Sequence, residues 1–122
     1  MPIEHSPPAE SGAERRREPR LDVDLPLSLL AGTRRASARV LDLSCSGARI
    51  QLRAGTGVKP PPIHTVQIRF GHGVELRCLA RTVWHAGARY AVSFMALDAV
   101  DRLRIAEQLD LISRARVTSS RN

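Results

Sequence analysis

The chain is dominated by short segments in which apolar residues occupy every second position. Val23, Leu25, Leu27 and Leu29 alternate with polar or small neighbours, although Pro26, which lacks a backbone donor, predicts an edge or a bend there. Ala38 to Leu43 continues as a strand interrupted by Asp42. Ala48, Ile50 and Leu52 then face one way while Arg49, Gln51 and Arg53 face the other, and Val66, Ile68 and Phe70 alternate with Thr65, Gln67 and Arg69. Period two with apolar and charged residues segregated predicts half-buried antiparallel strands. Gly71-His72-Gly73 predicts a tight hairpin into a long strand from Val74 to His85. Ala86-Gly87-Ala88 predicts another turn, and Tyr90, Val92 and Phe94 the inward face of a last strand. Strands recurring at short spacing with no helix between them indicate an all-β domain, either a small closed barrel or a sandwich.

Two stretches depart from this pattern. Ala54 to Pro62 has no periodicity and three prolines, so it is expected to be an extended, stiff loop. From Asp98 the period becomes helical. Asp98 is the expected N-cap, Asp101 complements the first turn, and the helix is expected to reach Arg114, with Arg114 and Arg116 near its negative end. Its apolar residues fall on two faces: Ile105, Leu109 and Ile112 on one, Val100, Leu103 and Leu111 on the other. One face should cap the β structure, which leaves the other open to a partner.

Composition narrows the picture only modestly. At 122 residues one domain is expected. No apolar run reaches the ~18 residues of a membrane-spanning helix. The N-terminal residues, rich in Pro, Glu and Ser, have neither the basic start nor the apolar core of a secretory signal and are expected to be a disordered tail. The boundaries that follow are a tail over 1–13, a folded domain over 14–116 and a C-terminal tail over 117–122. Cys45 and Cys78 match no metal-binding spacing, and reduced thiols in a cytoplasm are expected. The net charge of +7 suits an anionic partner, but of the 19 basic residues all except Lys59 are arginine and most are scattered singly. Placement therefore matters more than number.

The placement is most telling at two polar motifs. Arg15-Arg16-Arg17-Glu18-Pro19-Arg20 contains an R-x-x-x-R, Arg16 and Arg20, and Asp42-Leu43-Ser44-Cys45-Ser46-Gly47 is a D-x-S-x-x-G. A planar guanidinium makes bidentate bonds to phosphate or to guanine O6 and N7, and its face stacks on a base. Asp42 can accept from guanine N1–H and the 2-amino group. Ser44 can donate to phosphate, and Gly47 permits a turn and a close backbone approach. In order and separation the two motifs resemble those of the PilZ domain, a bacterial receptor family for cyclic di-GMP. The resemblance implies a six-stranded antiparallel barrel with a C-terminal α-helix, and cyclic di-GMP as ligand with no other cofactor. It also implies Arg16, Arg20, Asp42, Ser44 and Gly47 as ligand contacts, with Arg15 associated with how many ligand molecules bind. The family often carries a glycine in its final strand; here the segment is Tyr90-Ala91-Val92-Ser93-Phe94, and an alanine methyl would narrow the site.

Other chemistry is thin. His5, His64, His72 and His85 share no metal-ligand spacing, and Ser44 and Ser46 lack the G-x-S-x-G context of a hydrolase nucleophile. Trp84 is expected in the core or at a barrel edge, because one aromatic gives no stacking array. The expected protein is thus a cytoplasmic, non-enzymatic receptor that relays cyclic di-GMP to a downstream protein by ordering its arginine segment. Two alternatives stay open: a degenerate module that binds only proteins, and a small basic nucleic-acid-binding barrel whose affinity falls steeply with salt.

Overall fold

The computed structural model describes residues 20–53 and 59–121. Six strands, β1 (Leu21–Ala31), β2 (Arg34–Leu43), β3 (Gly47–Leu52), β4 (Ile63–Gly71), β5 (Val74–Ala86) and β6 (Arg89–Met95), precede one helix, α1 (Ala99–Arg121). The strands close into an antiparallel barrel in the order β1-β2-β3-β6-β5-β4. Closure decides between barrel and sandwich. It depends on β1, which pairs with β2 along most of its length and with β4 from Leu27 to Leu30. Pro26 sits just outside the β4 pairing, where a missing N–H costs little.

The alternation places the core as expected. Leu27, Leu29, Val40, Ile50, Val66, Ile68, Leu76, Tyr90 and Val92 fill the barrel, with Ile105 and Leu109 of α1 closing one end. Phe70 and Phe94, expected inside with them, are only partly buried and pack against the cluster from its periphery. Each lies close to the end of its strand, where the barrel interior gives way to its rim. Trp84 is 42 % exposed on the outer wall beside Val83. A register shift between Thr82 and Trp84 interrupts the alternation there, so of the two expected places, core or barrel edge, the core does not hold, and Trp84 lies near the end of β5. The Gly71-His72-Gly73 hairpin has positive φ at all three residues, which two glycines make inexpensive.

Sequence also missed a buried polar pair. His64 is 4 % exposed. Its Nδ1–H donates to the Pro61 carbonyl at 3.1 Å, which leaves Nε2 to accept from the Tyr90 hydroxyl at 3.5 Å. Burial lowers the His64 pKa, the Pro61 bond opposing it in part, and burial alone pushes the Tyr90 hydroxyl up.

Asp98 caps α1 as its position suggested, its Oδ1 accepting from Asp101 N–H at 2.8 Å. The helix then continues past Arg114 to Arg121, through residues assigned above to a C-terminal tail. No glycine or proline follows Arg114 to stop it. Arg114 pairs with Asp110 one turn back, and Arg116 donates to the Asp22 carbonyl, tying this part of the helix to β1.

Candidate ligand site

Two irregularities at one end of the barrel shape the site. The β1–β2 register shifts between Asp22 and Leu25, and the β2–β3 register between Val40 and Asp42. Bulges of this kind bend a strand and re-aim its side chains. Beyond them Asp22 lies opposite Asp42, and Asp42 opposite Arg49. The residue that leads into β1, Arg20, is thereby carried to the D-x-S-x-x-G turn.

Asp42 is the hub. Its side chain is 9 % exposed; Arg49 Nε donates to Oδ2 at 2.7 Å, and Arg20 Nη1 lies 3.6 Å from Oδ1. Among the described residues, Oδ1 is buried with no hydrogen-bond partner. A carboxylate with one oxygen fixed and the other lacking a donor is a poised acceptor, because a buried unpaired oxygen costs ~1–3 kcal/mol. Both arginines are half exposed, so the cluster presents one net positive charge toward solvent.

Ser44 does something different from donating outward. It is 1 % exposed. Its Oγ accepts from the backbone N–H of Ser46 at 3.3 Å and of Gly47 at 3.2 Å, and donates to the Gly47 carbonyl at 3.3 Å. The hydroxyl thus closes the β2–β3 turn. Gly47 is needed for a reason inside the fold: a Cβ there would sit 2.3 Å from the Val92 carbonyl oxygen of β6. Its φ is not positive, so the close approach of β3 to β6 selects glycine, rather than turn geometry.

The structure therefore brings Arg20, Asp42, Ser44 and Gly47 together, and Arg15 and Arg16 lie outside the described residues. Arg49 is the partner that sequence reasoning missed. It looked like one of several solvent-facing arginines on β3, and only the register shift before Asp42 sets it against the carboxylate. Ala91 and Ser93, where the family glycine was missed, face Arg49 and Gly47 across the β3–β6 ladder. Beside Arg20, a cavity of about 370 Å³ runs between the turn and α1, lined by Leu21 and Cys45 on one side and Ala106, Leu109, Asp110 and Ser113 on the other.

The family model for the PilZ domain matches residues 14–111. The chain belongs to the PilZ domain family. Solved structures share the PilZ fold at low identity. The PilZ domain of CeSA from a cellulose-synthesizing bacterium matches with a TM-score of 0.62 at 18 % identity, covering 78 % of this chain and 98 % of that one. YcgR from Escherichia coli in complex with c-di-GMP matches with a TM-score of 0.68 at 16 % identity, covering 88 % of this chain and 50 % of that one. The isolated PilZ domain of YcgR with c-di-GMP gives the same TM-score at 14 % identity and is covered over 99 % of its length. This chain thus spans a PilZ domain and half of the longer YcgR. No curated protein matches. Among the described residues, no helix is long and apolar enough to cross a membrane, and no group of three or more metal-ligating side chains gathers.

Proposed function

We propose that this PilZ domain, spanning residues 14–116, is a non-enzymatic cytoplasmic receptor for cyclic di-GMP. The observation that carries it is the Asp42 carboxylate, held by Arg49 through Oδ2 while buried Oδ1, beside Arg20, has no hydrogen-bond donor among the described residues. A guanine edge offers two adjacent N–H donors, which suit that oxygen. Arg20, freed from its 3.6 Å ion pair, would turn its fork to phosphate or to guanine O6 and N7. Arg16 and Arg15 would add two more cations for the remaining phosphate and for a second ligand molecule. Ser44 and Gly47 contribute by fixing the turn that holds Asp42, and the Ala91 methyl opposite Arg49 trims the room available.

Relay would follow from the same contacts. The sequence of residues 14–20 has no large apolar group with which to offset an ordering cost of ~1–2 kcal/mol per residue. Ligand phosphates supply the missing stabilisation, so binding orders the segment against the barrel and presents a new surface to a downstream protein. Calorimetric titration with cyclic di-GMP, with cyclic di-AMP and GTP as controls, tests the proposal. Saturable 1:1 or 2:1 binding preferring cyclic di-GMP is expected. No heat with any of the three would leave the two alternatives, a degenerate protein-binding module and a nucleic-acid-binding barrel.

A further inference from the structure

A second cluster of arginines lies on the outer wall of the barrel, away from Asp42. Ser28 on β1 pairs with Ser37 on β2, six positions along β1 from the Asp22–Asp42 pair. At ~3.3 Å per residue that is a separation of about 20 Å. Around this point runs a groove of about 490 Å³, with Arg39, Arg53 and Arg69 among its walls. Ser28 is 3 % exposed, yet its Oγ accepts from two guanidiniums, Arg69 Nη2 at 3.0 Å and Arg35 Nη2 at 3.3 Å. Two cations converge on a single neutral oxygen, a like-charge approach that an added anion would relieve.

The counter-charges nearby are too few. Arg39 is neutralised by Asp24 at 2.7 Å. Arg69 lies 3.8 Å from Glu75, which also accepts from Gln67. Among the described residues, Arg35 and Arg53 have no carboxylate partner. Both are exposed; Arg53 lines the groove and Arg35 stands beside it, sharing the Ser28 hydroxyl with the groove residue Arg69. The Ser37 hydroxyl and Gln51 amide add neutral donors to its lining, and no aromatic side chain is part of it. Guanidinium forks with hydroxyl and amide donors match phosphate oxygens; without a stacking face, bases would go unread.

We infer that this groove is a second ligand site, independent of the cyclic di-GMP proposal, and that it takes a phosphate-bearing anion through its phosphate oxygens. The Asp24–Arg39 ion pair, on β1 and β2, bounds the groove on the side toward Asp42. The test is an NMR titration of the whole chain with inorganic pyrophosphate, and in parallel with a ten-residue oligothymidylate, at constant ionic strength. Saturable shifts centred on Ser28, Ser37 and Gln51 are expected from at least one probe. Pyrophosphate acting alone would identify a free phosphate compound as the source, and a tighter oligothymidylate would identify a single-strand backbone. The Arg35→Ala/Arg53→Ala double variant should bind at least tenfold more weakly with its dispersed spectrum intact, whereas Arg77→Ala, exposed on β5, should bind the probes as before. Shifts confined to residues 42–49, no saturation with either probe, or unchanged affinity in the double variant would each overturn the inference.

Discussion

Single residues in this domain carry distinct burdens even within one motif. Gly47 answers to packing: a methyl 2.3 Å from the Val92 oxygen must push β3 from β6, and overpacking of this kind costs ~1–3 kcal/mol. Gly47→Ala is therefore expected to lower the thermal midpoint by several degrees, since ~1 kcal/mol moves a small domain by about 4–8 °C. An unchanged midpoint would show that β6 yields freely. His64 predicts a pH dependence. Burial lowers its pKa below the usual 6.5, so below that pH the unfolded chain binds a proton that the folded chain refuses. Stability contributed by the neutral ring is full above pH 6.5 and falls as pH drops from 6.5 toward the folded value. Unfolding titrations from pH 8 to 5 should show the decline in the wild type and a shallower one in His64→Gln. Parallel curves would remove His64 as the cause.

The strands and the helix show where periodicity carries information and where it stops. Alternation in Ala48–Leu52 and Thr65–Phe70 located β3 and β4 because each strand has one wet face and one dry face, and side chains repeat every two residues. The same rule could not place Trp84 or reveal the Asp42–Arg49 pair, because both depend on register shifts that no local pattern announces. It also missed His64, which continues the inward face of Val66 and Ile68 but looks like a surface residue by type. The start of α1 was legible from the Asp98 cap, its end was not, and its two apolar faces were. Ile105 is fully buried while Leu103 is 59 % exposed. Ile105→Ala should cost ~2–5 kcal/mol and Leu103→Ala under ~0.5 kcal/mol. Chemical denaturation distinguishes them, and equal losses would mean that the outer face of the helix is covered in solution.

At the scale of the whole molecule, the closed barrel joins a segment entering at Arg20 to a helix crossing the same end. Arg20, Cys45 and Leu109 line one cavity, and Arg116 reaches the Asp22 carbonyl. A ligand that draws Arg20 away from Asp42 therefore acts beside the contact between helix and barrel. The proposed relay predicts that cyclic di-GMP increases hydrogen-exchange protection across residues 14–23, beyond the arginines themselves. Protection that is already complete without ligand would move the switch to α1 or to assembly of several chains. The motif pair in the sequence was enough to suggest the family and its ligand. How the site is wired, with Ser44 turned inward and Arg49 holding the carboxylate, required the folded register.

The central claim is that Arg20 and Asp42 form a cyclic di-GMP site, and calorimetric titration of the wild type beside Arg20→Ala and Arg77→Ala tests it most directly. An arginine that bonds phosphate contributes ~1.5–3 kcal/mol, and stacking on a base adds ~0.5–2 kcal/mol, out of the ~8 kcal/mol of a micromolar complex. The account predicts saturable binding to the wild type, a loss of about thirtyfold or more in Arg20→Ala, and unchanged binding in Arg77→Ala, whose side chain is exposed on β5. Equal affinity of wild type and Arg20→Ala would contradict it.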